Sequence, residues 1–219
     1  MELDYLKQML PEKGRVLDLG DGDGVFCSLA SQNGWKATCV DPALPHEKMS
    51  DGNPRCAKGH IQDLPQGERC VAITLWDVIE HVESPKEVLG SAVARLNPGG
   101  SVIVETGNYQ CAERIRSGRD WWCYQSDHRW YFSPPVMRKL MEDAGLVDIE
   151  LHDKVLRPWW SGRRSAIAPS YLGVVKSSIK NPARLFRNIS TFVEMRDRLA
   201  RWPDWSGMEI FAMSGRLPE

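Results

Sequence analysis

Between Val16 and Gly24 the chain reads Val-Leu-Asp-Leu-Gly-Asp-Gly-Asp-Gly, with three glycines at alternate positions behind an early aspartate. A short apolar run, a glycine turn and a helical pattern through Val25, Phe26, Leu29 and Ala30 together predict strand, loop and helix. Glycine suits such a turn because a Cβ would keep a ligand off the backbone and resist positive φ. Asp18 stands where the strand enters the loop, too early for a ribose and well placed to receive an ammonium group. A pyrophosphate site has no use for a carboxylate there, whereas a cofactor that carries an amino acid does. Dinucleotide sites use Gly-x-Gly-x-x-Gly/Ala, and their last glycine would here be Val25.

A second acid falls at a chemically useful distance. Ala37 to Asp41 reads as a buried strand ending in a carboxylate 21 residues beyond Gly20. In doubly wound folds an acid at that place accepts hydrogen bonds from ribose hydroxyls. Asp41-Pro42 is also a common turn start, so a purely local role is the alternative. A third strand is expected over Arg55–Gly59, followed by Asp63-Leu64-Pro65. A fourth, Val71–Trp76, runs into Asp77-Val78-Ile79-Glu80-His81-Val82. Ser84-Pro85-Lys86-Glu87 is a capping box with proline at the first helical position. The helix it opens carries Val88, Leu89, Ala92, Val93 and Leu96 on one face and stops at Asn97-Pro98-Gly99-Gly100. Ser101–Thr106 gives the fifth strand.

This series, from Arg15 to Thr106, resembles the class I S-adenosylmethionine-dependent methyltransferases, whose first motif is an acidic residue followed by Gly-x-Gly-x-Gly. The segment after it resembles one branch of that superfamily, the small-molecule and glycan-type methyltransferases related to ubiquinone and biotin biosynthesis enzymes. The residues that carry this second likeness are Glu105–Asn108, Arg119–Trp122 and Asp127–Ser133. Ser133-Pro134 starts a helix over Pro134–Ala144, and a strand is expected over Leu146–Leu151. Two departures touch the acceptor side: Thr106-Gly107-Asn108 replaces the branch's Thr-Pro-Asn, and His128-Arg129 its His-Leu pair.

The resemblance implies a Rossmann-like α/β fold: a doubly wound seven-stranded sheet, mostly parallel, with an antiparallel last strand. It implies S-adenosylmethionine as cofactor, with S-adenosylhomocysteine as product. Asp18 and Gly20, Gly22 and Gly24 would hold the methionine part, Asp41 the ribose and Asp63 the adenine amine. Trp76 and Asp77 would border the methyl group. Because the cofactor carries its own leaving group, the protein's work is to align the acceptor and exclude water. A hydroxyl acceptor would need a base, and His128 and His81 are the candidates, each with structural capping or packing as the alternative. Trp121, Trp122 and Trp130 could wall the acceptor pocket or simply pack together. Oxygen, nitrogen and carbon acceptors are all served by such a core.

Composition fits that picture. In 219 residues, 42% hydrophobic, one α/β core is expected. A net charge of −1 gives no reason to expect nucleic acid as a partner. Glu2, Asp4 and Lys7 argue against a signal peptide, and no apolar run is long enough to span a bilayer, so a cytoplasmic location is expected. Six cysteines without a Cys-x-x-Cys pair suggest a reducing compartment and neither disulfides nor a metal. The oddity is 157–206, a helical insertion before a closing strand at Met208–Gly215. It has eight arginines and two lysines against three acids, a net of +7, and four tryptophans. The division is therefore a core of 1–156 and 207–219 with a basic insertion over 157–206. That insertion reads as a lid clamping an anionic (phosphorylated, glycan or lipid-linked) small-molecule acceptor, as a peripheral membrane contact, or as a packing or dimer element. Monomer and homodimer are both compatible with the sequence. Two other classes stay in view: a methyltransferase-fold scaffold without catalysis, and an NAD-linked oxidoreductase, which the glycine spacing disfavours.

Overall fold

The computed structural model describes residues 3, 6, 7, 10, 13–22, 24–44, 52–65, 67–152 and 208–219. The basic insertion at 157–206, and with it the lid and the domain division, lies outside the described residues. Seven strands form one sheet: β1 (Arg15–Leu19), β2 (Lys36–Asp41), β3 (Arg55–Lys58), β4 (Cys70–Trp76), β5 (Leu96–Gly107), β6 (Val147–His152) and β7 (Ile210–Arg216), in the order β3-β2-β1-β4-β5-β7-β6. β1 to β5 pair in parallel, and β7 runs antiparallel to both β5 and β6. Five-stranded parallel sheets need both faces covered, and the strand sequences supply this. Leu17, Leu19, Ile73, Leu75, Val102 and Val104 face one apolar layer, and Val16, Ala37, Cys39, Ala72 and Ile103 face the other.

Helices close both faces. On one side α1 (Val25–Gln32) buries Phe26, Cys27 and Ala30. Val25 and Leu29, which the periodicity placed on the same apolar side, are exposed. The buried stripe is instead turned one residue further round, because Cys27 rather than Val25 faces β2. On the other side lie α2 (Pro85–Val93) and α4 (Pro134–Asp143), whose Leu89, Ala92, Met137 and Met141 join the larger core. A short helix, α3 (Ala112–Ser117), precedes the loop that carries the tryptophans. Ser84 caps α2 as its sequence announces, accepting from the Glu87 N–H at 3.4 Å.

One boundary differs from the sequence reading. α2 ends at Val93, and Leu96, expected on its apolar face, already belongs to β5, which runs through Asn97-Pro98-Gly99-Gly100. The cause is a register jump between β4 and β5, where Cys70 faces Leu96 but Ala72 faces Ser101. The extra residues bulge out, and Leu96 fills the core from the strand instead of the helix. The approach is close: a Cβ on Gly100 would lie 2.9 Å from the Asn97 carbonyl oxygen.

Candidate active site

The order of the strands reverses between β1 and β4. Ligands of open parallel sheets bind at such a point, in the crevice beyond the carboxyl ends of the strands. Asp18, Gly20–Gly24, Asp41, Trp76 and Asp77 all lie at those ends. Gly20, Gly22 and Gly24 have φ of 74°, 55° and 76°, a run of left-handed backbone that a side chain would strain. A Cβ on Gly20 would also come within 2.5 Å of Val78 Cγ2. The loop therefore lies against the segment after β4, joining the two halves of the crevice.

Asp41 organises this loop. Its Oδ2 accepts the Gly22 N–H at 3.0 Å and its Oδ1 the Ala43 N–H at 2.7 Å, while the Gly20 N–H donates to the Val40 carbonyl at 2.9 Å. A carboxylate has about four acceptor positions, of which donors among the described residues take two. Asp18 is buried beneath the loop and accepts a hydrogen bond from the Thr74 hydroxyl on the adjacent strand. Asp63 sits on a single turn of 3-10 helix after β3, exposed, with one carboxylate oxygen accepting the His60 N–H at 2.7 Å. Trp76 packs edge-on against Phe26 of α1, ring centroids 5.6 Å apart, which places it on the glycine-loop side of the sheet.

The segment after β4 forms the opposite wall. Asp77 has φ 51°, unusual for a residue with a side chain, and donates its N–H to the Glu105 carbonyl at 3.2 Å. It reaches solvent, yet surrounding protein holds its carboxyl above the ordinary range, as expected of a residue at the floor of a cleft. Beyond it the Glu80 carbonyl accepts both the Arg129 and Trp130 N–H groups, at 2.9 and 3.1 Å. This stitching brings His81 and His128, 47 residues apart, into edge-to-face contact with ring centroids 4.6 Å apart. His81 Nδ1 lies 3.2 Å from the Asp127 carbonyl oxygen, and His128 Nδ1 lies 3.6 Å from Cys123 Sγ. Burial, then the neighbouring His81 ring, lowers the His128 pKa below its usual value, which favours the unprotonated ring that can accept a proton.

Glu80 completes the group. It is 2% exposed, and burial, the largest cause, pushes its carboxyl up to about 7. One ligand atom each from Glu80, His81 and His128 lie within 4.8 Å of one another. Two imidazoles and a carboxylate suit a first-row divalent cation, so the sequence expectation of no metal meets a cluster able to hold one. Glu80 was visible in the sequence only as part of a motif. Its burial depends on the contact with 128–130, which nothing local announces.

An aromatic cluster continues from His128. Tyr131 lies 6.2 Å from it, and Tyr109, Trp121 and Tyr124 surround Tyr131 at 5.8, 6.1 and 5.3 Å. Trp121 is buried at the centre, whereas Tyr109 and Tyr124 face outward. Trp122 donates from Nε1 to Glu209 at 3.2 Å, and Trp130 stands outside the cluster, its Nε1 donating to the Val82 carbonyl at 2.9 Å. Of the three tryptophans, Trp121 is packed in the core of the cluster with Trp122 against it at 6.4 Å between ring centroids, and the tyrosines around them were not singled out from sequence.

The fold is that of the class I S-adenosylmethionine-dependent methyltransferases. The chain belongs to the methyltransferase-domain family, whose model matches residues 2–151, and the cofactor that goes with that membership is S-adenosylmethionine. A ubiquinone biosynthesis O-methyltransferase of Bradyrhizobium sp. (strain ORS 278) is 27% identical over 166 residues, covering 67% of this chain and 65% of that protein. The chain thus spans about two-thirds of the length of such curated relatives. A SAM-dependent methyltransferase of Archaeoglobus fulgidus superposes with a TM-score of 0.62 at 16% identity, covering 98% of this chain and 93% of that one. Haemonchus contortus phosphoethanolamine N-methyltransferase 2, solved with S-adenosyl-L-methionine, gives 0.58 at 14% identity, covering 99% and 52%. Among the described residues no helix is long and apolar enough to cross a membrane.

Proposed function

We propose that this protein transfers the methyl group of S-adenosylmethionine to a hydroxyl oxygen of a small-molecule acceptor, with His128 as the base. The observation that carries this reading is the His128 ring set between His81, on the segment after β4, and the edge of the aromatic cluster. The relatives named as O-methyltransferases support an oxygen acceptor.

S-adenosylmethionine supplies an electrophilic methyl with its own leaving group. In this assignment the Gly20–Gly24 backbone and Asp18 bind its methionine part, Asp41 accepts from the ribose hydroxyls and Asp63 from the adenine amine. Asp41 is suited to that role because the Gly22 and Ala43 N–H groups already fix its orientation. Trp76 and Asp77 border the reacting methyl. The outer rings of the aromatic cluster, Tyr109 and Tyr124, would hold the acceptor, and His128 would take its hydroxyl proton. Asp127 stands beside His81 and raises the basicity of His128, partly offsetting the neighbouring ring. General-base assistance of this kind is worth about 10²–10⁴ in rate.

A second use of the same side chains is favoured by the convergence of Glu80, His81 and His128: holding a divalent cation beside the acceptor hydroxyl. Release of S-adenosylhomocysteine in the presence of hydroxylated aromatic acceptors tests both readings. Turnover that persists in chelator but falls in a His128→Ala variant supports the base. Turnover abolished by chelator and restored by a divalent ion supports the cation. No turnover on any hydroxylated acceptor, with S-adenosylhomocysteine still bound, would contradict an oxygen acceptor.

A further inference from the structure

Behind the glycine loop lies a group of side chains that methyl transfer does not use. Asp21 comes from the loop itself, Cys27 from the first turn of α1 and Cys39 from the middle of β2. One ligand atom of each lies within 4.8 Å of the others. Cys39 also stands directly opposite Cys56 in the β2–β3 register, so a third thiol adjoins the group. Cys27 and Cys39 are fully buried, and Asp21 Oδ2 is shut off from water, the carboxyl facing the two thiols and the Cys27 N–H. Buried groups of this kind are costly unless they satisfy one another or a shared ligand.

We propose that Asp21, Cys27 and Cys39 form a binding site for a thiophilic divalent cation of the zinc–cadmium type, with Cys56 as the adjoining fourth donor. Two thiolates and a carboxylate are the donor set such ions select, and hard cations such as magnesium find too few oxygens here. Metal–sulfur and metal–oxygen bonds of about 2.3 and 2.1 Å bring ligand atoms to roughly 3.5 Å from one another. The three ligand atoms already lie within 4.8 Å of one another, and Asp21, flanked by Gly20 and Gly22, is the donor carried on the loop. Thiols and a carboxyl bind such an ion in their deprotonated forms, so uptake of the ion releases protons. An ion held there would tie the glycine loop to α1 and β2, the elements that frame the crevice.

Metal-free, fully reduced protein titrated with cadmium gives the test, because cadmium–thiolate bonds produce an ultraviolet charge-transfer band. The wild-type band should saturate at a single equivalent. Cys39→Ser should abolish it, and Cys123→Ser, beside His128, should leave it intact. Asp21→Asn keeps every thiol and should weaken cadmium binding by about tenfold or more, the equivalent of one charged donor. Ion bound at Glu80, His81 and His128 yields no thiolate band and is thereby told apart. The proposal is overturned if the wild type shows no band at a single equivalent, if Cys39→Ser retains it, or if Cys123→Ser removes it. It fails equally if Asp21→Asn, checked for native folding by thermal melting, binds cadmium as tightly as the wild type.

Discussion

Replacing Glu80 with glutamine should stabilise the protein, and only above the acid range. The carboxyl is buried at 2% exposure, its Oε2 has no hydrogen-bond partner, and its pKa is pushed from 4.5 up to about 7. Below pH 4.5 the folded and unfolded states both hold the proton, and burial of the neutral acid carries no charge penalty. Between 4.5 and about 7 the unfolded chain has ionised while the folded state retains its proton. The folded state then binds more protons, so stability falls as pH rises, by about 1.4 kcal/mol per pH unit. Above 7 both states are ionised and the accumulated cost is about 3 kcal/mol. Glutamine mimics the protonated acid: its carbonyl can accept from Thr106, whose hydroxyl bonds the Glu80 carboxylate, and it never ionises. Urea unfolding of both proteins between pH 5 and pH 8, with chelator present so that no ion contributes, measures the difference. The stability gap between variant and wild type should widen by about 2–3 kcal/mol across that range. A gap that stays constant with pH would refute the reasoning, for it would mean that the carboxylate ionises in the fold without cost.

Other substitutions probe the same crevice. Gly20→Ala places a Cβ 2.5 Å from Val78 Cγ2 at φ 74°, and should cost about 2–4 kcal/mol in denaturant unfolding. Adding Val78→Ala removes the clash but not the left-handed backbone, so about 1–2 kcal/mol should persist in the double variant. His128→Ala should lower the rate of acceptor methylation by about 10²-fold or more. Its affinity for S-adenosylhomocysteine in calorimetry should stay unchanged, since the proposal gives the ring a role toward the acceptor and none toward the cofactor. Trp121→Ala empties the centre of the aromatic cluster and should destabilise by about 3–5 kcal/mol, read by thermal or chemical unfolding.

The strands and most helices were legible in the sequence because each is marked locally. Ser84-Pro85 and Ser133-Pro134 announce helix starts, and the glycine loop and Asp41 announce the ends of β1 and β2. The α2–β5 boundary was not legible: the jump from Cys70–Leu96 to Ala72–Ser101 is set by pairing between strands, and no local pattern encodes it. The facing of α1 was misjudged for a related reason. Val25 and Leu29 are apolar, but the helix turns toward the sheet the residues whose neighbours are waiting for them, Phe26 beside Trp76 and Cys27 beside Cys39. On the acceptor side, His81 and His128 could each be named as a base, yet their contact, and the burial of Glu80 with them, follows from backbone bonds between residues 80 and 129–130. The tyrosines of the cluster, at 109, 124 and 131, are spread along a loop with no period to reveal them.

The measurement that bears most directly on the central claim is calorimetric titration of S-adenosylhomocysteine into the wild type and Asp41→Ala. Removing the carboxylate that holds Gly22, and that the proposal assigns to the ribose, would forfeit charge-assisted hydrogen bonds of about 1.5–3 kcal/mol each, or roughly 10²-fold in affinity. Micromolar binding by the wild type, weakened about a hundredfold in the variant, is the result expected of a cofactor seated between the glycine loop and β2. Equal affinity in the two proteins, or binding of NADH in place of S-adenosylhomocysteine, would contradict it.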